Sequence, residues 1–449
     1  MKFQFISNKH IITAQQYLIL SIPFLLITGP FLSDLSLTLS SIFFLVYSLK
    51  SKNFKYLNSI YFKIYLVFYI YIVLNSLFSD YSFFSLKSSA THIRFALFSL
   101  SVWLVLEKRP KTLEQLFFIF IIIYTVLTID GLKQFFTKEN FFGMYLAFGQ
   151  RVSSFFGDEP VLGSYLARFF PLFFAMFIYI IKNNKKNIYF YVFGVIFLFL
   201  EFLVFATGER TALFLLNLCL IYLLLMLNDL TKIKLFICLL SFVSILVFIT
   251  VSFYFPASKI RIIDQTLNQI GLNKKYFKSF QTSENVYKEH TGLSHNDDDK
   301  IYVFSKQYHN IYLTSLNIFN ENKILGIGPK NFRNFCHLDE YKIGNGCSTH
   351  PHNLYFQFLV ELGIIGFVIL VITFLSLLYF SFKHLIFKFR KKNILLDNFE
   401  ITLLSCFFIS LWPIAPSGNF FNNWLSIIYF YPLGFLFWSL NKKKKYVKE

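Results

Sequence analysis

Long apolar runs separated by short polar connections make up most of the chain. Each run is close to the roughly 20 residues that a helix needs to cross a hydrocarbon core. The pattern therefore predicts an all-α polytopic membrane protein with about 12 transmembrane helices. One long polar interruption divides it into a membrane domain at 1–255 (helices 1–9), a loop domain at 256–352 and a membrane domain at 353–449 (helices 10–12 and a basic tail). The predicted spans are 17–32, 35–49, 59–78, 93–107, 113–130, 160–181, 188–206, 211–228, 235–255, 353–381, 399–416 and 423–440.

Lysine and arginine cluster after every second span. The positive-inside rule assigns such clusters to the cytoplasm. Both termini are then cytoplasmic, the 256–352 loop faces the opposite side, and the first span is a retained anchor without a cleavage site. The clusters are Lys50, Lys52 and Lys55; Lys108, Arg109 and Lys111; Lys182, Lys185 and Lys186; Lys232 and Lys234; Lys388, Arg390, Lys391 and Lys392; and Lys442, Lys443, Lys444 and Lys445.

Composition supports the membrane interpretation and bears on the class of partner. The chain is 55% hydrophobic and only 15% charged, too little charge for a soluble protein of 449 residues. A net charge of +19 is compatible with nucleic-acid binding, but the basic residues lie in short clusters between spans, as topology signals do. We therefore expect membrane lipids, and no nucleic acid, among the partners.

Cysteine positions fit this orientation. Cys219, Cys238 and Cys406 lie inside apolar spans and are expected to be buried thiols. Cys336 and Cys347 both lie in the large loop, where an environment outside the cytoplasm permits a disulfide. A pair of free thiols is the alternative.

Two histidines stand where the long loop meets the next apolar run, in Thr349-His350-Pro351-His352-Asn353-Leu354. Imidazole titrates near neutral pH, so either histidine is a candidate general base. We expect Pro351 to hold the local backbone extended and Asn353 to cap the following helix, which would fix His352 near the helix N-terminus. Single histidines elsewhere in the loop are interpreted as solvated surface.

Two further features lie deeper in the same run. Glu361 is about two and a half turns along the predicted helix, where it is either a buried structural carboxylate or a partner of an arginine. Gly363 and Gly366 leave room for close approach of another helix or for a ligand.

Arginine in or beside a membrane span is costly unless it has a partner or a function. Guanidinium groups stay charged and grip phosphate with paired N–H donors, which makes each such arginine a candidate anion ligand. The alternative for each is a snorkelling side chain or an ion pair, and Glu201 is the expected partner of Arg168. Arg151 and Arg210 flank polar turns and are the better anion ligands. The candidates are Arg94, Arg151, Arg168 and Arg210, and the acidic alternatives are Glu159, Glu201 and Glu209.

Other segments carry weaker signals. Asp297-Asp298-Asp299 has the composition of a metal-binding cluster, but consecutive aspartates in a polar loop are more often solvated, so no metal is expected. The Gly326-Ile327-Gly328-Pro329 turn lacks the strand–helix context of a phosphate-binding loop. An amphipathic helix is predicted at 300–319.

Four local motifs follow one another in a fixed order. They are Arg151 with Ser153 and Phe155-Phe156-Gly157; Thr207-Gly208-Glu209-Arg210-Thr211-Ala212; Leu325-Gly326-Ile327-Gly328; and His350-Pro351-His352-Asn353 followed by Leu354, Glu361, Gly363 and Gly366. Together with the twelve spans and the single large loop, they resemble the O-antigen ligase and O-antigen polymerase superfamily over nearly the whole chain. Where that family often has serine before the arginine of span eight, this chain has Glu209.

The resemblance implies a glycosyltransferase of the bacterial inner membrane with its active site on the periplasmic side. The implied donor is an undecaprenyl-pyrophosphate-linked glycan, and transfer inverts the anomeric carbon without cofactor or metal. His352, or His350, would take the proton from the acceptor hydroxyl. Arg151 and Arg210 would hold the pyrophosphate, with Arg168 and Arg94 as further candidates.

Several functions fit this interpretation. A ligase transfers the glycan to lipid A-core, and the histidine motif and the large penultimate loop favour it. A polymerase uses another lipid-linked repeat unit as acceptor, and a third type glycosylates proteins. From a different class, a lipid-linked oligosaccharide transporter would explain many spans and buried arginines, but transporters commonly contain inverted repeats, and none is visible here.

Overall fold

The computed structural model describes residues 7–148, 151–183, 187–228, 231–254, 260–264, 266–267, 305–390 and 395–446. About three-quarters of these residues are helical (76%), and the β pairing among them is two isolated bridges within 139–151. The helices are α1 (Asn8–Leu25), α2 (Pro30–Ser51), α3 (Ile60–Leu77), α4 (Ser82–Ser89), α5 (Ile93–Lys108), α6 (Thr112–Thr137), α7 (Leu162–Asn183), α8 (Ile188–Ala206), α9 (Arg210–Met226), α10 (Thr231–Tyr254), α11 (Lys306–Glu321), α12 (Phe332–Phe335), α13 (Leu354–Phe389), α14 (Asn398–Ser410) and α15 (Asn423–Tyr446).

Eight helical segments within the described ranges are long and apolar enough to cross a membrane. They are α2, α3, α4 together with α5, α6, α7, α8, α10 and α13, while α9 and α14 are shorter apolar helices. The predicted class, an all-helical multi-pass membrane protein, is therefore confirmed. The count of twelve crossings and the placement of the large loop stay predictions.

The first connection lies earlier in the chain than the sequence pattern suggested. The predicted spans 17–32 and 35–49 left residues 33–34 between them, but those residues lie inside α2, and the break falls after Leu25. The reason is the Gly29-Pro30 pair. Proline has the fixed φ and missing N–H that suit the first position of a helix, and Gly29 takes a φ of 115° before it.

The chain divides into two compact units, at 1–119 with 310–449 (unit one) and at 120–309 (unit two). In unit one, α5 packs against α2 and α15, and α1 packs against α2. In unit two, α7 packs against α8 and α9, and α8 packs against α10. Stacked and edge-on phenylalanine rings fill the space between α7 and α8, for example Phe177 against Phe193 with ring centroids 4.2 Å apart.

Helix α13 is interrupted at Gly363, whose φ of 63° and ψ of −167° are accessible essentially to glycine alone. The chain around the Gly326 turn fills the interruption. The amides of Ile327 and Gly328 donate to the carbonyls of Val360 and Glu361, at 3.0 and 2.8 Å. Gly363 therefore allows a loop, rather than a second helix, to approach α13 closely.

The cysteine and loop predictions have mixed outcomes. Cys336 and Cys347 form a disulfide in unit one, and Cys219 and Cys406 are buried thiols. The prediction for Cys238 is wrong, because its side chain lies on the exposed surface of α10. The amphipathic helix predicted at 300–319 begins at Lys306 in the described part, and residues 300–304 lie outside it.

Candidate functional site

In unit two, the loop before α7 is fastened so that Arg151 points at the turn before α9. The side-chain oxygen of Gln134 in α6 accepts the backbone N–H groups of Ser153 and Ser154, at 2.9 and 2.8 Å. The Nε of Arg151 then donates to the carbonyl oxygen of Thr207 over 2.8 Å. The two loops that flank α7 and α9 are thereby tied together by this guanidinium group.

Glu209 lies at the centre of this arrangement. Its carboxylate accepts the backbone N–H groups of Gly163 and Ser164 at the start of α7, over 2.9 and 3.0 Å. The same carboxylate lies 3.7 Å from Nη2 of Arg151. Only glycine fits at position 163, because a Cβ there would come 2.6 Å from Oγ1 of Thr207. Glu209 precedes α9, yet its side chain caps α7.

Arg168 approaches the same carboxylate from one turn further along α7. The side chain is 5% exposed, its Nε lies 3.2 Å from Oγ of Ser164, and its charge acts on Glu209. The Nη1 atom is buried and has no hydrogen-bond partner among the described residues. Such a buried cationic donor favours an additional anionic partner.

Arg210 is the first residue of α9, and Tyr308 is in the first turn of α11. Burial raises the pKa of Tyr308, while the charges of Arg210 and Arg151 lower it. The phenol is therefore close to both guanidinium groups. Sequence reasoning missed Tyr308, because one tyrosine in an aromatic-rich chain carries no signal of its own.

The acid–base properties of this cluster follow from its burial. Burial raises the pKa of Glu209 to about 7, against the lowering influence of Arg151, the Gly163 and Ser164 amides, and Arg168. Burial likewise lowers the pKa of Arg151, against the raising influence of Glu209. Two arginines, Arg151 and Arg168, face one carboxylate whose ionised form is disfavoured by burial, and Arg210 lies near Tyr308, so the cluster as a whole attracts anions.

One predicted arginine pairing is absent from the structure, and one of the ion-pair alternatives is present. Glu201 accepts a hydrogen bond from Ser244 in α10, whereas Arg168 pairs with Ser164 and faces Glu209, so the predicted Arg168–Glu201 pair is wrong. The ion-pair alternative holds for Arg151, with Glu209 as its partner.

Arg94 belongs to unit one, whereas the other three candidate arginines belong to unit two. Its Nη2 lies 2.9 Å from Oδ1 of Asp34 and donates to Oδ1 of Asn423 over 3.0 Å. The guanidinium group of Arg94 is therefore in an ion pair, which is the predicted alternative to binding a substrate anion. Its partner, Asp34, was not among the acidic residues that the sequence suggested.

The two histidines of unit one lie against each other, with ring centroids 4.0 Å apart. Asn353 caps α13 as predicted, since its side-chain oxygen accepts the amides of Tyr355 and Phe356 at 2.9 and 3.2 Å. The expected extended backbone is wrong at His352, whose φ is 55°. The amide of Ser417 donates to the His352 carbonyl over 2.9 Å and helps to hold this left-handed conformation.

Both imidazoles are in their neutral form near pH 7. Burial, with the charges of His352 and Arg333, lowers the pKa of His350 to about 3. Burial also lowers the pKa of His352 from its ordinary value of 6.5. Nε2 of His352 lies 2.9 Å from Oγ of Ser348, which orients the ring. A neutral, oriented imidazole is the form that accepts a proton.

Glu361 is fully buried in α13, and its carboxylate accepts the Nε2 amide of Gln357 over 2.8 Å. The cation beside it is Lys330 rather than an arginine. Burial lowers the pKa of Lys330, while Glu361 raises it and Arg333 lowers it further. Lys330 and Arg333 follow the predicted glycine turn, and sequence reasoning overlooked both because lysine and arginine in a polar loop are ordinarily solvated.

Within the described ranges, no group of histidine, cysteine, aspartate and glutamate is arranged to hold a metal ion. The acidic segment Asp297-Asp298-Asp299, like His295, lies outside those ranges.

Fold and site define a multi-pass helical membrane protein with a buried guanidinium cluster in one unit and a neutral imidazole pair in the other. The family model for O-antigen ligase matches residues 192–371, a segment that contains Arg210, His350 and His352. This match confirms the resemblance to the O-antigen ligase and polymerase superfamily that the sequence predicted. It indicates a glycosyltransferase-like enzyme that uses lipid-linked glycans. Comparison with curated proteins gives no match.

Proposed function

We propose that this protein is an O-antigen ligase-type glycosyltransferase. It moves a glycan from undecaprenyl pyrophosphate to a hydroxyl of lipid A-core, with inversion and without a metal. The reaction takes place on the periplasmic face of the bacterial inner membrane, with both chain termini in the cytoplasm. The observation that carries this proposal is the pair of neutral, oriented imidazoles at the start of α13, inside the segment matched by the O-antigen ligase family.

The imidazole pair supplies the base. The acceptor oxygen attacks the anomeric carbon as its proton passes to the imidazole, and the bond from that carbon to the diphosphate breaks. The electron pair of the broken bond leaves with undecaprenyl pyrophosphate. His352 is the better base of the two, because the lower pKa of His350, about 3, makes it a poor proton acceptor.

The guanidinium groups of unit two bind the diphosphate of the donor. Arg151 and Arg168 already face a carboxylate that two helix amides hold, so the same donors suit a phosphate oxygen. Arg210 begins α9, and it acts with Arg151 on Tyr308. Fixed positive charge at the leaving group offsets the negative charge that develops there during transfer. That the arginines and His352 act on one donor molecule stays a prediction.

Ligase and polymerase activity are separated by the lipopolysaccharide of a deletion strain. A ligase is indicated if the strain lacks polymer on core and retains polymer on the lipid carrier. Single repeat units on core would instead indicate a polymerase. Complementation with wild-type protein restores the profile, and complementation with His352→Ala does not. Normal lipopolysaccharide in the deletion strain, or lipid-linked glycan flux without any transfer, would contradict the proposal.

A further inference from the structure

The N-terminus of helix α7 is part of an anion-binding arrangement, and the carboxylate of Glu209 already occupies it. The backbone N–H groups of Gly163 and Ser164 point at one carboxylate, and Arg151 and Arg168 face it from two further directions. We call these two amides and two guanidinium groups the anion cradle. The partial positive charge of a helix N-terminus adds to their attraction for an anion.

The cradle offers more donors than one carboxylate uses. Nη1 of Arg168 is buried in a side chain that is 5% exposed, and it has no hydrogen-bond partner in the described part of the chain. Arg151 lies 3.7 Å from Glu209, an ion-pair distance longer than a direct hydrogen bond. A tetrahedral phosphate presents more oxygens than a carboxylate does, so it can use donors that Glu209 leaves unused.

The ionised carboxylate of Glu209 is also destabilised at this buried position. Burial disfavours its ionised form, and the neighbouring positive charges offset that effect only in part. Glu209 itself sits on the short connection between α8 and α9, next to Gly208 with a φ of 64°, and its side chain makes no capping bond to its own helix. Among the described residues its carboxylate is hydrogen-bonded and ion-paired to the cradle, while its backbone is held separately by Thr207 and Leu213, so the side chain can leave with a local rearrangement.

We propose that Glu209 is an internal anion that occupies the cradle in the unliganded protein and is displaced by one phosphate of the lipid-linked diphosphate. The inference rests on the proposed function, since it assigns the diphosphate to the same arginines. Glu209 then keeps the arginines in position before the donor arrives. As a competing anion, it also lowers the affinity of the protein for the donor. The chemical group recognised is a diphosphate, whether it is attached to the lipid carrier or free.

The test measures binding of undecaprenyl pyrophosphate to the purified full-length protein in nanodiscs of zwitterionic lipid. Glu209→Gln removes the competing charge and keeps a hydrogen-bond acceptor, so the dissociation constant should fall about fivefold or more. Glu159→Gln is the matched control, because it removes the same charge from an exposed side chain of the loop before α7 and should change binding little. Arg151→Gln and Arg168→Gln should each weaken binding.

Two outcomes separate the inference from the proposed function. If Arg151→Gln weakens binding but Glu209→Gln leaves it unchanged or weakens it, the displacement is wrong and the diphosphate site survives. If the wild type does not bind the carrier, or if Arg151→Gln has no effect, the proposed donor site fails and the inference fails with it.

A competition experiment identifies the chemical group that is bound, and a second variant controls for folding. Inorganic pyrophosphate should compete with the carrier, and more effectively in Glu209→Gln than in wild type. If phosphatidylglycerol competes and pyrophosphate does not, the ligand is a lipid headgroup, which overturns the inference. Glu209→Ser serves as a second charge-removing variant. Loss of folding in both variants would also overturn it, because an anion that a ligand displaces cannot be required for the fold.

Discussion

The backbone of Gly326 rests directly on that of Gly363, so closely that a Cβ on Gly326 would lie 2.5 Å from the Gly363 nitrogen. This contact lies at the break in α13, nine residues after the first residue of the helix, Leu354. The hydroxyl of Tyr71 in α3 donates to the Leu362 carbonyl, and the side-chain amide of Asn75 donates to the Leu325 carbonyl. Carbonyl groups that lose their helical partners at the break therefore accept other hydrogen bonds, so the break is a defined part of the structure of unit one.

Gly363→Ala should destabilise the protein by two combined effects. The residue has a backbone conformation reserved for glycine, which costs about 1–3 kcal/mol for alanine. Its new Cβ would also overlap the carbonyl oxygen of Ile324, which adds about 1–3 kcal/mol. Thermal unfolding in detergent measures the sum.

The matched control is Gly29→Ala. Gly29 has a φ of 115° and a ψ of −179°, also reserved for glycine, but a Cβ there would meet nothing within 4 Å. It should therefore show only the conformational part of the loss. Equal midpoints for the two variants would mean that the contact with the Gly326 turn does not constrain α13.

Removing the disulfide should lower stability. Cys336 and Cys347 are separated by 11 positions, and closing a loop of that size stabilises by about 3 kcal/mol in the chain-entropy description. The double change to serine should lower the unfolding midpoint, whereas Cys238→Ser, at an exposed free thiol, should not. Alkylation of the denatured protein should label three of the five cysteines before reduction and all five afterwards. Five labelled thiols without reductant would exclude the bond.

Stability should depend on pH through Glu209. Its folded pKa of about 7 lies above the ordinary 4.5, so its contribution to stability is complete below pH 4.5 and is lost as pH rises through 7. The wild-type unfolding midpoint should fall between pH 5 and pH 8 relative to that of Glu209→Gln. Glu159→Gln should keep the wild-type slope. Parallel pH profiles for wild type and Glu209→Gln would show that the carboxylate titrates outside this window.

Glycosyl transfer should keep its rate as pH falls from 8 to 6.5. The pKa of His352 is lowered from 6.5 by burial, so the proton-free base persists to a lower pH than an exposed histidine would allow. The acid limb of the pH–rate profile should therefore lie below 6.5. A limb centred at or above 6.5 would mean that a different group, or an exposed imidazole, provides the base.

The apolar runs predicted the helical class because hydrophobic length is a local property. The cap formed by Asn353 was likewise predictable, since its side chain bonds to amides only two and three residues away. The disulfide followed from the position of two cysteines in one loop. Each of these depends on residues close together in the chain.

The remaining features depend on contacts across the chain. Gly363 sits in an apolar run that looks continuous, and the helix breaks there because a segment 37 positions earlier, at Gly326, fits against it. Glu209 precedes α9, so its local position suggested a partner for arginine and gave no sign that it caps α7. The left-handed backbone of His352 likewise depends on Ser417 as well as on its neighbours.

In the proposed function, guanidinium and imidazole groups of this chain transfer a glycan from a diphosphate carrier. The most direct test is transfer from lipid-linked donor by purified protein, comparing wild type with His352→Ala and Arg210→Lys. His352→Ala should lose about 10²–10⁴ in rate. Arg210→Lys should also lose activity, because a point charge cannot replace a bidentate grip. Full activity in both variants would contradict the proposed glycosyl transfer.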